Sequence, residues 1–308
     1  MKENEIKVFC PATVANISCG FDVLGVALDA VGDEMTIRKV AKKGIKITKI
    51  TGQDLPMETL NNVAGVAGNA FLLAADYDGG FEIEIDKKIK PGSGIGSSAA
   101  SSAGAVWAMN HLLGSPFSNT DLVKFAMEGE RLASDVAHAD NVAPAIFGGF
   151  TLVRSYSPLD IITVPAPSDL YITIIHPQIE IKTSDSRKIL KTTISMETGI
   201  KQWGNVGGLV AGLFKEDYAL IGRSLEDHIV EPIRSILIPG FDEVKKVALS
   251  AGALGSGISG SGPSIFAFSK GEDTAIKVGN AMKLVYDKIG IAYEIHVSKI
   301  NKDGVRPK

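Results

Sequence analysis

The chain has 308 residues, 45% hydrophobic and 22% charged, enough for two ordinary domains or one large one with a packed core and against global disorder. A formal net charge of −3 gives no electrostatic case for nucleic acid or an anionic membrane, so any bound anion must be held by a local site. Met1 to Phe9 carry no signal-peptide core, no apolar run approaches the roughly 20 residues of a bilayer span, and Cys10 and Cys19 form no CxxC pair; a cytoplasmic protein with reduced thiols is expected.

Residues 5 to 50 read as strands and turns, with period-two alternation at Met35-Thr36-Ile37 and from Ile45 to Ile50. Asn61 and Asn62 precede an N-capped helical pattern that runs through Phe71-Leu72-Leu73. Phe81 to Asp86 alternates cleanly as a strand and leads into the glycine-rich Pro91 to Gly96. The alanine-rich run Ser97 to Leu113 has helix composition, and a further helix is expected from Thr120 to about Ala137. Short strands at Phe150–Val153 and Ile161–Val164 come before Pro165 and Pro167, which with Pro158 punctuate the chain. A domain boundary is placed there, giving units 1–164 and 165–308.

In the second half, Leu170 to Ile175 reads as a strand, followed by helical patterns at Ile200–Phe214, Tyr218–Leu225 and Phe241–Ala251. A second glycine-rich stretch, Gly255 to Pro263, runs into the apolar strand Ser264–Phe268. The helix Thr274–Ile289 and the strand Ala292–Val297 close the pattern. Strands and helices alternate without a strict βαβ rhythm, which favours an α+β fold over a doubly wound one.

Glycine is the compositional excess, and its clusters mark places where the backbone takes positive φ or approaches something closely. In Pro91-Gly92-Ser93-Gly94-Ile95-Gly96-Ser97-Ser98-Ala99-Ala100, three glycines at alternate positions let several N–H groups converge at a helix start. Convergent amides and the positive end of a helix dipole suit a triphosphate. A Walker A loop would need Lys-Ser or Lys-Thr after the glycines, and GxGxxG would need glycine at position 97, where Ser97 stands. The other reading is a tight, closely packed strand-to-helix turn.

This string resembles the central ATP-binding motif of the GHMP small-molecule kinases, the galacto-, homoserine, mevalonate and phosphomevalonate kinases. Pro11-Ala12-Thr13-Val14-Ala15-Asn16 with Gly20-Phe21-Asp22 is similar to the family's N-terminal motif, and Gly257 to Ser264 to its C-terminal one. The likeness spans essentially the whole chain; Ile95 stands where leucine is commoner. With His138-Ala139-Asp140-Asn141-Val142-Ala143-Pro144, it is nearest to members that act on L-homoserine. The resemblance implies an N-terminal α+β domain with a left-handed βαβ crossover, a ferredoxin-like C-terminal domain and a homodimer. It also implies ATP and Mg²⁺, with the nucleotide held by Pro91 to Ala100.

Residue by residue, the resemblance makes Ser98 and Glu130 the metal-side ligands; a solvated helix face is the alternative for Glu130. Arg187 and Arg234 would hold the substrate carboxylate and Asp22 its ammonium, with Asn16, His138 and Gly260 nearby. A surface role for the arginines and a structural one for His138 are the alternatives. Asn62 either touches the nucleotide or caps its helix. Asn141 stands where some relatives carry an aspartate base, and an amide cannot accept the hydroxyl proton at neutral pH. The implied scheme is direct attack oriented by Asn141, with the proton passing to a phosphate oxygen through a loose transition state; Asp140 is the rival base. Two other functions stay open: a kinase of another small alcohol, such as mevalonate, and a non-catalytic metabolite sensor.

Overall fold

The structure, a computed structural model, describes residues 4–134, 136–181 and 183–308. The alternating N-terminal segment forms β1 (Glu5–Ala15), a long β2 (Leu24–Val40) and β3 (Gly44–Thr51). β1 and β2 pair antiparallel, with a register shift between Pro11 and Thr13. The irregularity begins at a residue that has no N–H to give to the ladder.

α1 (Val63–Ala75) starts at the Asn62 cap, whose side chain accepts from the Ala64 N–H. It carries the chain from β3 to β4 (Gly80–Asp86), which pairs parallel with β3 and antiparallel with β2. α2 (Ser97–Leu112) and α3 (Asn119–Ser134) follow. Small residues let α2 sink into the core with almost every side chain buried, including Ala99, Ala103 and Val106. Next come α4 (Val142–Phe147), β5 (Phe150–Tyr156) and β6 (Leu159–Val164), with β5 joining the sheet on the first residues of β2.

The second half contains β7 (Leu170–Pro177), α5 (Thr183–Lys188), α6 (Met196–Lys215), α7 (Tyr218–Ser224) and α8 (Glu231–Arg234). It continues with α9 (Phe241–Ser250), β8 (Gly255–Ile258), β9 (Ile265–Lys270), α10 (Glu272–Ile289), β10 (Tyr293–Lys299) and β11 (Arg306–Pro307). Strands β10-β7-β9-β8 form a four-stranded antiparallel sheet, the 4-1-3-2 order of a ferredoxin-like unit. β11 returns to pair with β1 in the seven-stranded sheet.

The continuous apolar run of β7 is explained by burial on both faces. Ile172 and Ile174 join Phe266 and Phe268 of β9 in the main core, while Ile175, Ile265 and Ala267 face the smaller core under α9 and α10. Period-two alternation thus divides each strand between two cores. The ring of Phe268 meets Phe150 of β5 at 5.8 Å, which ties the second sheet to the first. Burying each such ring contributes roughly 2–3 kcal/mol.

Several sequence expectations need correction. α3 ends at Ser134, and 136–139 are not helical; Asp135, inside the expected helix, lies outside the described residues. The same holds for Met1, Lys2 and Glu3 of the N-terminal segment. Gly255–Ile258 is a strand, not a loop, because its ladder to β9 holds residues of low strand propensity in place. Short α4, α5 and α8 and the two-residue β11 carry too few residues to show a period.

Candidate active site

Three glycine-containing segments from distant parts of the chain meet in one cavity of approximately 460 Å³. The first runs from β4 into α2. Gly92, Gly94 and Gly96 take φ of 72°, 80° and 69°, so the loop winds with alternate residues in the left-handed region. Its carbonyls are turned away from the cavity. Ser93 O accepts from the Ser264 N–H and hydroxyl, Gly94 O from the Ser259 hydroxyl at 2.7 Å, and Ile95 O from the Thr13 N–H. The Ser93 N–H is spent on Lys90 O, and the first turn of α2 has no side-chain cap, so its N–H groups lack intrahelical partners where Gly96, Ser97 and Ser98 line the cavity. A Cβ on Gly94 would stand 2.6 Å from Gly262 O and 2.7 Å from Ser259 O, so glycine here permits contact between the two loops.

The base of this cradle is braced by a buried ion pair. Lys87 binds Asp33 and donates to Ser97 O at 2.5 Å and to the Ser101 hydroxyl at 2.9 Å. Asp33 in turn accepts from the Lys88 and Ile89 N–H groups. The start of α2 is therefore locked to the end of β4.

The second segment, between β1 and β2, bends sharply. Asn16, Ile17, Ser18 and Asp22 all have positive φ, and for the β-branched Ile17 this is strain of order 1–3 kcal/mol, offset by its complete burial. Asn16 staples the turn: its carbonyl accepts from the Asp22 N–H, and its amide donates to Gly260 O at 2.7 Å. From beneath, Gln202 on α6 donates to Cys19 O and to Asp227.

Charge in this part of the cavity is organised around Asp22. Arg187 Nη2 donates to both Asp22 oxygens at 2.7 Å and contacts His138 Nε2 at 3.0 Å. A guanidinium only donates, so Nε2 accepts, and the neutral ring carries its proton on Nδ1, 3.7 Å from Asp22. Burial, with Arg187 and Arg234, holds the His138 pKa below the ordinary imidazole value against the pull of Asp22. Arg234 is buried and donates to Ser186 O and Gly260 O. Burial and then the neighbouring Arg187 push its pKa down to about 10. Both guanidiniums lie over the Phe21 ring, 5.3 and 5.1 Å from its centroid.

Two carboxylic acids line the space between this cluster and the loop. Glu130 is buried and hydrogen-bonded by Ser98; burial pushes its pKa up to about 7, against the opposing pull of Ser98 and Lys87. Asp140 is also buried, and its Oδ1 has no hydrogen-bond partner among the described residues. Burial, then the charges of Asp22 and Glu130, push its pKa up to about 7. Asn141 Oδ1 accepts from the Thr13 hydroxyl at 2.7 Å.

Of the residues named from sequence, Asn16, Asp22, Asn62, Pro91, Gly92, Gly94, Gly96, Ser97 and Ser98 line the cavity. So do Glu130, His138, Asn141, Arg187, Arg234 and Gly260. Ser93, Ile95, Ala99 and Ala100 do not; they are buried and shape the loop from behind. Asn62 reaches the cavity wall with its amide committed to Ala64 N–H and Pro56 O, beside apolar Leu55, Val63 and Ile85. Sequence reading missed Phe21, Lys87, Asp33 and Gln202. Phe21 lay within a quoted motif and Gln202 within an expected helix, but nothing in the sequence marked any of the four as part of the site.

The fold and the site are those of a small-molecule kinase, and the chain belongs to the GHMP kinase family. The family's N-terminal domain model matches residues 58–149 and its C-terminal model residues 209–288. A homoserine kinase of Chlorobium phaeobacteroides (strain BS1) is 47% identical over 97% of this chain and 98% of its own length. The crystal structure of homoserine kinase from Cytophaga hutchinsonii superposes with a TM-score of 0.96 at 54% identity, covering 100% of this chain and 98% of that one. The crystal structure of L. major mevalonate kinase shares the fold, with a TM-score of 0.72 at 15% identity over 97% of this chain and 99% of that one.

Proposed function

We infer that this chain phosphorylates the side-chain hydroxyl of L-homoserine with ATP, giving O-phospho-L-homoserine and ADP, a step toward threonine in the cytoplasm. The observation that carries this reading is the cluster of Asp22, Arg187 and Arg234 in the same cavity as the glycine loop. A zwitterionic amino acid supplies a carboxylate for the guanidiniums and an ammonium for Asp22. Arg187 and Asp22 satisfy each other, so a ligand that replaces the pair must bring both charges. Mevalonate has a carboxylate and no ammonium, and would leave Asp22 unpaired.

The triphosphate is assigned to the amides of Gly92 and of Gly94 to Ser98, and the apolar wall at Leu55, Val63 and Ile85 to the nucleotide base. Ser98 and Glu130 fit Mg²⁺: two adjacent oxygen donors, one a buried carboxyl whose charge is costly without a cation. Bound there, the ion would neutralise phosphate charge. In the transfer, the substrate oxygen forms a bond to the γ-phosphorus as the bond to the bridging oxygen of ADP breaks. Asn141, held by Thr13, orients the hydroxyl. The Oδ1 of Asp140, partnerless among the described residues, favours this carboxylate as the acceptor of the hydroxyl proton over a base-free route. We keep the division into units at 164/165, where β6 ends and the chain passes to the second sheet, with β11 crossing back.

The test is ATP consumption with L-homoserine, mevalonate and shikimate. Homoserine should be preferred by about 10⁴-fold or more in kcat/KM. Equal turnover of mevalonate would refute the substrate assignment, and nucleotide binding without turnover of any alcohol would favour a sensor.

A further inference from the structure

Tyr156, at the end of β5, is 41% exposed and belongs to neither hydrophobic core among the described residues. Its hydroxyl reaches inward instead. It donates to Asp22 O at 2.8 Å and accepts from the Ala139 N–H at 3.3 Å. The strand carries it there: β5 pairs with Leu24 to Val26, the Val153 N–H extends the ladder to Val23 O, and the chain runs on beside Asp22. Burial, then the charge of Asp140, raises the phenol pKa above its ordinary value against the pull of the Ala139 N–H, so the proton stays on to be donated.

The two residues joined by this hydroxyl belong to opposite ends of the substrate site. Asp22 has a φ of 60°, and its backbone is held at both polar groups, the N–H by Asn16 and the carbonyl by Tyr156. Its carboxylate is thereby aimed at Arg187 and, in the proposed reaction, at the substrate ammonium. Ala139 is likewise held at both, the N–H by Tyr156 and the carbonyl by the Ala143 N–H at 2.7 Å. It stands between His138 and Asp140, which both line the cavity, Asp140 as the acceptor of the hydroxyl proton. In a hydroxy amino acid the ammonium and the reacting hydroxyl are separated by the length of the side chain, so the distance between Asp22 and Asp140 has to match it. We propose that Tyr156 is a positioning residue: one hydroxyl bridging the two segments sets this distance, and with it the side-chain length of the amino acid that reacts. This rests on the amino-acid reading and deepens it.

The test is Tyr156→Phe, which removes one oxygen from a partly exposed ring, assayed with L-homoserine, L-serine (one carbon shorter) and 5-hydroxy-L-norvaline (one carbon longer). In the wild type, kcat/KM should favour homoserine over both by about 10²-fold or more. In Tyr156→Phe, kcat for homoserine should fall about 10- to 30-fold, the two homologues should lose less than about threefold, and KM for ATP should stay within about twofold. The preference is a ratio within one preparation, so a variant that is merely less stable leaves it unmoved. Tyr293→Phe, which removes an exposed hydroxyl bonded to Asp287, should leave it unmoved as well. A wild type that turns over homoserine without this preference, a Tyr156→Phe chain that keeps it, or a Tyr293→Phe chain that loses it equally would overturn the inference alone. A wild type that turns over none of the three would overturn the amino-acid reading and the inference with it.

Discussion

The contact between the two glycine loops can be probed by one methyl group. In Gly94→Ala the new Cβ would lie 2.6 Å from Gly262 O and 2.7 Å from Ser259 O, both backbone atoms that cannot swing aside. Gly114→Ala is the matched control, since its φ of 88° is close to the 80° of Gly94, and its Cβ would meet nothing within 4 Å. The left-handed conformation costs each alanine roughly 1–2 kcal/mol. The backbone overlap adds about 1–3 kcal/mol at position 94 alone. The second loop can relieve that overlap only by withdrawing, which releases the Ser259 bond to Gly94 O and opens the cradle. Gly114→Ala should therefore lower the melting temperature by about 2–6 °C and leave KM for ATP unchanged. Gly94→Ala should lower it further and raise KM for ATP about 10- to 100-fold, measured by steady-state kinetics with saturating amino acid. If the two variants behave alike in both measurements, the cradle does not depend on the second loop.

Asp140→Asn should reduce kcat by about 10²- to 10⁴-fold; a loss below threefold would return the proton to a phosphate oxygen and leave Asn141 as the orienting group. The same variant should be more stable at high pH. Burial raises the Asp140 pKa from 3.8 to about 7, so wild-type stability is lost as pH rises through that interval. The gain should reach up to about 4 kcal/mol at pH 8 and vanish toward pH 4, as read by urea unfolding across that range. Arg187→Lys exchanges a two-pronged donor for a point charge and should raise KM for the amino acid about 10- to 100-fold, with KM for ATP unchanged; equal effects on both would place Arg187 outside the carboxylate contact. Lys87→Met leaves Asp33 buried without its cation and should cost about 3–5 kcal/mol in denaturant unfolding, whereas a change below 1 kcal/mol would remove the brace from the account.

What the sequence determined by itself was local: elements with a clear period, and the positions of glycine. Phe81 to Asp86 alternates and is a strand, and the alanine-rich run after Gly96 is a helix, because backbone preference and burial pattern agree there. The alternate glycines of 92 to 96 were legible as a loop with positive φ, since few other residues adopt that conformation. Only the tertiary structure decided how charges pair. The burial of Asp140 and Glu130, the Arg187 bond to Asp22 and the brace of Lys87 on Asp33 join residues 165 and 54 positions apart in the last two cases. A carboxylate's pKa depends on the dielectric and the charges around it, and those are set by the packing of segments that carry no mark of one another in the chain. The strand Gly255–Ile258 shows the same limit for the backbone. Its residues would not choose extended structure alone, and the ladder to β9 chooses it for them.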